Sequence, residues 1–167
     1  MYGSKPVTFE EIWGGLDTYG NPVKDFICDT SLFLDQAEKD GKKVLFEAQL
    51  GALRDIDFGI YPFTSSSNTI AAYAPIGSGI PNHKLHNVVG VMKAYSTCVG
   101  EGPFTCELFG EEAEKLREAG GEYGAATGRP RRVGPFDIPA SRYGVRVPGA
   151  DAIALTTLDV LYGPTKP

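Results

Sequence analysis

The sequence predicts an α/β fold: part of a mostly parallel sheet flanked by helices, with long ordered loops between the elements. A helical segment over residues 31–40 passes through the turn Asp40-Gly41 into the apolar run Val44-Leu45-Phe46, which is one half of an α/β unit. Residues 152–161, Ala-Ile-Ala-Leu-Thr-Thr-Leu-Asp-Val-Leu, are dominated by apolar side chains, the pattern of a parallel strand buried on both faces. The 21 glycines and 12 prolines cluster between these short elements and mark long loops.

The elements follow in chain order. Phe9, Ile12, Trp13 and Leu16 fall at helical spacing over residues 8–18, and Asp17 to Pro22 reads as a turn. Residues 31–40 take a cap from Asp29, Thr30 or Ser31 and an apolar face from Leu32, Phe33, Leu34 and Ala37. Lys42 to Leu50 begins a strand. Residues 51–83 read mostly as loop; a loop that long in a compact domain is functional or disordered. Its Phe58, Tyr61, Phe63, Ile70, Tyr73 and Ile76 argue for order. Leu85, Val88, Val89, Met92 and Tyr95 form a stripe that predicts a helix over residues 84–97. Residues 110–119 form an exposed helix, with Glu111 and Glu112 in its first turn and Gly120-Gly121 as terminator. Residues 122–137 are a basic loop, and Pro139 opens a short helix around Ala140 to Tyr143.

A chain of 167 residues is expected to form a single domain, 1–167, with one sizeable core. Its net charge of −5 argues against bulk nucleic-acid binding, which needs a basic face. No run of roughly 18 apolar residues is present, so no membrane-spanning helix is expected. Residues 1–6 lack an apolar signal core. The three widely spaced cysteines, Cys28, Cys98 and Cys106, suit reduced thiols in a cytoplasmic protein. His83 and His86 form an isolated H-x-x-H without the further ligands zinc requires, so no metal site is expected in this chain.

Four places could carry chemistry. In Gly124-Ala-Ala-Thr-Gly-Arg-Pro-Arg-Arg132, three arginines stand within four positions of an acidic chain. Guanidinium forks bind carboxylate or phosphate with paired hydrogen bonds. The plainer reading is a solvated loop pairing with surface acids such as Glu122. Asp159 sits inside the expected buried strand, where an ionised carboxylate needs a partner; it could take paired N–H donors such as a guanine edge, or cap a neighbouring helix or meet an arginine. Thr64 to Thr69 gathers hydroxyls that could hold a phosphate or merely shape a turn. Glu47 and Gln49 follow the strand at Phe46, where ligands sit in α/β sheets. No Gly-x-x-x-x-Gly-Lys-Ser/Thr loop and no Ser-His-Asp or Cys-His arrangement is present.

Taken in order, these blocks resemble the adenylosuccinate synthetase family. The resemblance covers residues 29–51, Asp55-Ile-Asp-Phe-Gly-Ile-Tyr-Pro62, Thr64-Ser-Ser-Ser-Asn-Thr69 and Lys93-Ala-Tyr-Ser-Thr-Cys-Val-Gly-Glu-Gly-Pro-Phe104. It continues through Glu107-Leu-Phe109, Gly121-Glu-Tyr-Gly-Ala-Ala-Thr-Gly-Arg-Pro-Arg-Arg132 and Leu155-Thr-Thr-Leu-Asp-Val-Leu161. It implies the core of that family's P-loop-NTPase-like fold, and GTP-dependent ligation of L-aspartate to IMP, giving adenylosuccinate on the way to AMP. The loop Ala125, Ala126, Thr127, Gly128, Arg129, Pro130 and Arg131 matches the one that closes over aspartate. Gln49, Ser65 and Arg129 match IMP contacts. Arg131, Thr157, Leu158 and Asp159 match the GTP side, with Asp159 reading guanine.

There are departures from the family pattern. Ala48-Gln49-Leu50-Gly51 replaces Gly-Ala-Gln-Gly, so Gln49 comes one place early. Thr157 stands for a lysine, Ala126 for a threonine and Cys98 for an arginine. The family's glycine loop, its catalytic aspartate and histidine, and its Mg2+ ligands have no counterpart here. The chain therefore reads as an excised middle to later-middle part, inactive alone, of an enzyme expected to be a homodimer. The competing reading is a non-catalytic nucleotide- or anion-binding module.

Overall fold

A computed structural model describes residues 3–162. These residues fall into two compact units: those up to Val44 together with Ser78–Ile80, and Leu45–Gly77 with those from Pro81 on.

The first unit holds two helices. Helix α1, Phe9–Gly20, opens on a reciprocal cap in which Thr8 Oγ1 accepts from the Glu11 amide and the Glu11 carboxylate accepts from the Thr8 amide. It takes in Asp17 to Gly20 of the expected turn and gives way at Asn21 to a 3-10 segment, Asn21–Phe26. Helix α2, Thr30–Lys39, is capped by Asp29, whose Oδ1 accepts from the Leu32 amide at 3.1 Å. Of the three candidates for that cap, the aspartate takes the position.

The second unit contains the four strands found among the described residues. Strands β1, Val89–Lys93, and β4, Ala152–Thr156, pair in parallel with Val91 opposite Ala154. Strands β2, Ser96–Cys98, and β3, Arg132–Gly134, pair antiparallel with Thr97 opposite Val133. Helix α3 is Tyr73–Ser78, its last residue belonging to the first unit. Helix α4, Gly110–Gly120, ends at Gly121 in the left-handed conformation and lies against β3 and the segment Leu158–Leu161. Helix α5, Ile138–Arg146, has Pro139 in its first turn, as expected, under an Asp137 cap. Helix α6 is the single turn Leu158–Leu161. Ala94, Tyr95, Ala113 and Val133 are among this unit's buried apolar residues.

The α/β class and the parallel pairing stand, but three assignments are corrected. The stripe over 84–97 is not a helix; it is β1, a turn at Ala94-Tyr95, and β2. A short apolar run cannot separate helix from strand by period alone, and Val88, Val89 and Val91 favour the strand that β4 can pair. Residues 42–49 form no strand, although Val44-Leu45-Phe46 is apolar; a strand exists only where a partner takes its amides. The apolar run at 152–161 breaks after Thr156. Thr157 adopts φ 57, and Asp159 lies in the first turn of α6, exposed rather than inside a buried strand.

Candidate functional site

The basic loop is a hairpin hung on α4. Beyond Gly121, Tyr123 bridges Pro130, and the Gly124 amide donates to the Arg129 carbonyl at 2.9 Å. The Gly128 amide returns to the Gly124 carbonyl at 2.7 Å, and Thr127 Oγ1 accepts from the Arg129 amide at 3.3 Å. The tip is therefore shaped by its own bonds. Ala125, Ala126, Thr127, Gly128, Arg129 and Pro130 are all exposed.

At the base of the hairpin the charges are anything but solvated. Glu122 is 2% exposed. Its Oε1 accepts from Lys93 Nζ and Tyr95 Oη, each at 2.5 Å, and its Oε2 accepts from Arg131 Nη1 at 2.9 Å. Burial pushes this carboxyl up, but the three donors outweigh it and hold it below the usual range. Tyr95 is pushed up to about 12, by burial first and then by its bond to Glu122. Two cations thus share one carboxylate, leaving net positive charge at the hairpin base. Arg131 Nε is buried with no hydrogen-bond partner, while the side chain remains about one-third exposed, at 32%. Arg131 and Pro130 also line an open pocket of about 420 Å³ beside α4, together with Arg117, Arg132 and Phe109.

Arg132 does not join the tip. Its Nε and Nη2 fork onto Glu107 at 2.8 and 2.5 Å, and its Nη1 donates to the Gly100 and Gly102 carbonyls. The expectation of three arginines free for an anion is corrected to one exposed, Arg129, one fixed and half-buried, Arg131, and one structural, Arg132.

The loop after residue 51 is organised by Asp55, which is fully buried. Its Oδ1 accepts from the Asp57 and Phe58 amides, and its Oδ2 from those of Thr69 and Ile70. Burial pushes Asp55 up, yet the four amides bring it below its ordinary value. Gly59 is required here, because a Cβ would lie 2.3 Å from the Asp55 carbonyl oxygen. Ser65 is held by a bond from its amide to the Arg54 carbonyl, and its hydroxyl closes a local turn with Ser67. Arg54 then reaches away, donating to Cys98 Sγ at 2.6 Å and to the Val99 carbonyl at 3.0 Å. Arg132 Nη1 lies 4.0 Å from the same sulfur, so the serine loop and the root of the arginine hairpin grip one segment, residues 98–102.

The structure thus joins Arg131 to Lys93 and Tyr95 through Glu122, and α6, which carries Leu158 and Asp159 just after Thr157, lies against α4. Gln49 is exposed, just before Leu50 at φ 78 and Gly51 at φ 105, and no bond ties it to the arginine cluster. The histidine rings lie 6.2 Å apart, edge to face. Among the described residues no group of three His, Cys, Asp or Glu gathers to hold a metal ion, and no helix is long and apolar enough to cross a membrane. All three cysteines are free thiols.

The family profile for adenylosuccinate synthetase matches residues 1–166. The chain belongs to the adenylosuccinate synthetase family. Among curated adenylosuccinate synthetases, that of Lactococcus lactis subsp. lactis (strain IL1403) is 49% identical over 163 residues, spanning 98% of this chain and 38% of its own. That of Geobacter sulfurreducens is 49% identical over 161 residues, 96% of this chain and 37% of its own. The fully ligated adenylosuccinate synthetase of Plasmodium falciparum superposes with a TM-score of 0.89 at 42% identity, covering 96% of this chain and 38% of that one. The chain therefore spans well under half the length of the synthetases it matches.

Residues that the sequence reading missed include Asp55, Arg54, Lys93 and Tyr95. Glu122 was read as a surface acid and is buried. The available signal was the Lys93-Ala-Tyr95 block itself, which falls among the family-like segments without a role of its own.

Proposed function

We propose that this chain supplies the substrate-gripping part of an adenylosuccinate synthetase that joins L-aspartate to IMP at the expense of GTP. The two compact units are read as parts of one domain of that enzyme. The observation that carries this reading is the arginine hairpin: an exposed Arg129 at a self-bonded tip, and an Arg131 anchored at its base beside surplus positive charge. A dicarboxylate is the ligand such a pair suits, because each guanidinium offers a planar fork of donors. Held there, the amine of aspartate is presented to the purine ring, and positioning of this kind supplies much of the rate.

Ser65 and Gln49 are assigned to IMP together with Arg129. Thr157, Leu158 and Asp159 are assigned to the guanine side of GTP, with Arg131 shared between aspartate and GTP. The ligation brings carboxylate charge next to phosphate, and fixed cations stabilise it without reorganising. Magnesium, which the family reading implies, would be held by residues outside this chain. Cytoplasmic placement and a homodimer accompany the proposal.

Replacing Arg131 with leucine in the full-length parent protein is expected to raise the KM for aspartate about a hundredfold, in line with loss of one well-placed ionic contact. The KM for IMP should move far less. Steady-state kinetics with each substrate varied in turn would decide it, and an unchanged aspartate KM would refute the assignment.

A further inference from the structure

We infer that Glu122 is the positioning residue for the aspartate grip: a buried carboxylate that fixes the Arg131 guanidinium in its working orientation. The inference rests on the reading that Arg131 takes a substrate carboxylate.

Its basis is the way the two oxygens of Glu122 are divided. Oε1 is occupied by Lys93 and Tyr95, and Oε2 faces Arg131. The first pair of bonds sets the carboxylate plane, and the plane then sets where Arg131 can point. The backbone repeats the constraint, since the Arg131 amide donates to the Glu122 carbonyl at 2.9 Å. One residue thus holds both the main chain and the side chain of Arg131. Tyr95 has its place because position 120 is glycine: a Cβ there would lie 2.4 Å from the tyrosine hydroxyl.

Stability alone is a poor reason for this arrangement. A buried ion pair is often no better than apolar residues of the same volume, and its attested use is to specify one geometry. Here the geometry is specified next to an exposed loop that cannot fix a long side chain by packing. Arg131 is left with its buried Nε unspent and part of its side chain open. A guanidinium tethered by one edge keeps donors for a second carboxylate, and loses less rotamer entropy when that carboxylate arrives.

The test uses the full-length parent protein and varies aspartate, IMP and GTP separately. Glu122→Gln keeps the shape and removes the charge. It is expected to raise the aspartate KM about tenfold, as for a catalytic contact displaced by a fraction of an ångström, while the IMP value stays within about twofold. The double variant Glu122→Gln/Arg131→Leu should be no worse for aspartate than Arg131→Leu alone, because the glutamate acts only through the arginine. If Arg131→Leu raises the aspartate KM and Glu122→Gln does not, positioning by Glu122 is wrong and the site reading survives. If Arg131→Leu is itself silent, both fall. Equal losses for all three substrates would mark Glu122 as structural only and overturn the inference. Should Glu122→Gln not fold, Tyr95→Phe decides instead. It frees one lone pair of Oε1 without changing charge and is expected to raise the aspartate KM about threefold, and no change would sink the inference.

Discussion

Asp55→Ala is expected to destabilise this chain by about 3–5 kcal/mol, the range for stripping the partner from buried hydrogen-bonding groups. Four backbone amides, of Asp57, Phe58, Thr69 and Ile70, converge on its two oxygens. Alanine would leave all four donors without acceptors in a place water does not reach. Asparagine is expected to recover only part of the loss, since its amide group would face N–H donors on one side. Denaturant midpoints measure the total. Amide hydrogen exchange at the four positions locates it, and those amides should lose protection before the rest of the chain. The pH dependence has a fixed sign. Folding depresses this carboxyl, so its contribution is complete above the unfolded value of roughly 3.9 and drains away as pH falls through the folded one. Stability near neutrality should be flat with respect to Asp55, and unaltered acid sensitivity in Asp55→Asn would contradict its role.

Arg132→Leu is the second large effect, at about 3–4 kcal/mol for breaking a largely buried pair from one side. The arginine forks onto Glu107, spans the Gly100 and Gly102 carbonyls, and lies 5.5 Å from the centre of the Phe104 ring. Leucine would leave Glu107 without its fork and two carbonyls without their donor. The double variant with Glu107→Leu should be milder than the sum of the singles, because the second change removes the stranded charge. The Glu107 carboxyl is held below its usual range, chiefly by its bond from Arg132. Its share of stability is therefore present at neutral pH and lost on acidification. An additive double-variant cycle by chemical denaturation would show that the two do not act as a pair.

What could be read from the sequence was whatever is local. Helices α2 and α4 announce themselves through Asp29, through Glu111 and Glu112, and through Gly121, all within a turn of where they act. The glycine-bracketed arginines were legible for the same reason. Strand β1 was not, because its partner β4 lies far along the chain and the spacing of Leu85, Val88, Val89 and Met92 also suits a helix. Asp159 was misplaced because nothing in an apolar run marks where Thr157 turns left-handed. Glu122 illustrates the limit most clearly. Along the chain it is one of several glutamates near α4, and only folding brings Lys93 and Tyr95 onto one of its oxygens and Arg131 onto the other.

The β1–β4 ribbon carries a consequence for handling the protein. Val89 and Val91 share one face with Ala152 and Ala154, and Met92 shares the other with Ile153 and Leu155. Val91 is 73% exposed and Ile153 51%, so both faces offer oily surface to water. Such a ribbon invites copies to stack until something covers it. Solubility of this stretch of chain should therefore fall steeply with concentration, and detergent or a covering polypeptide should restore it.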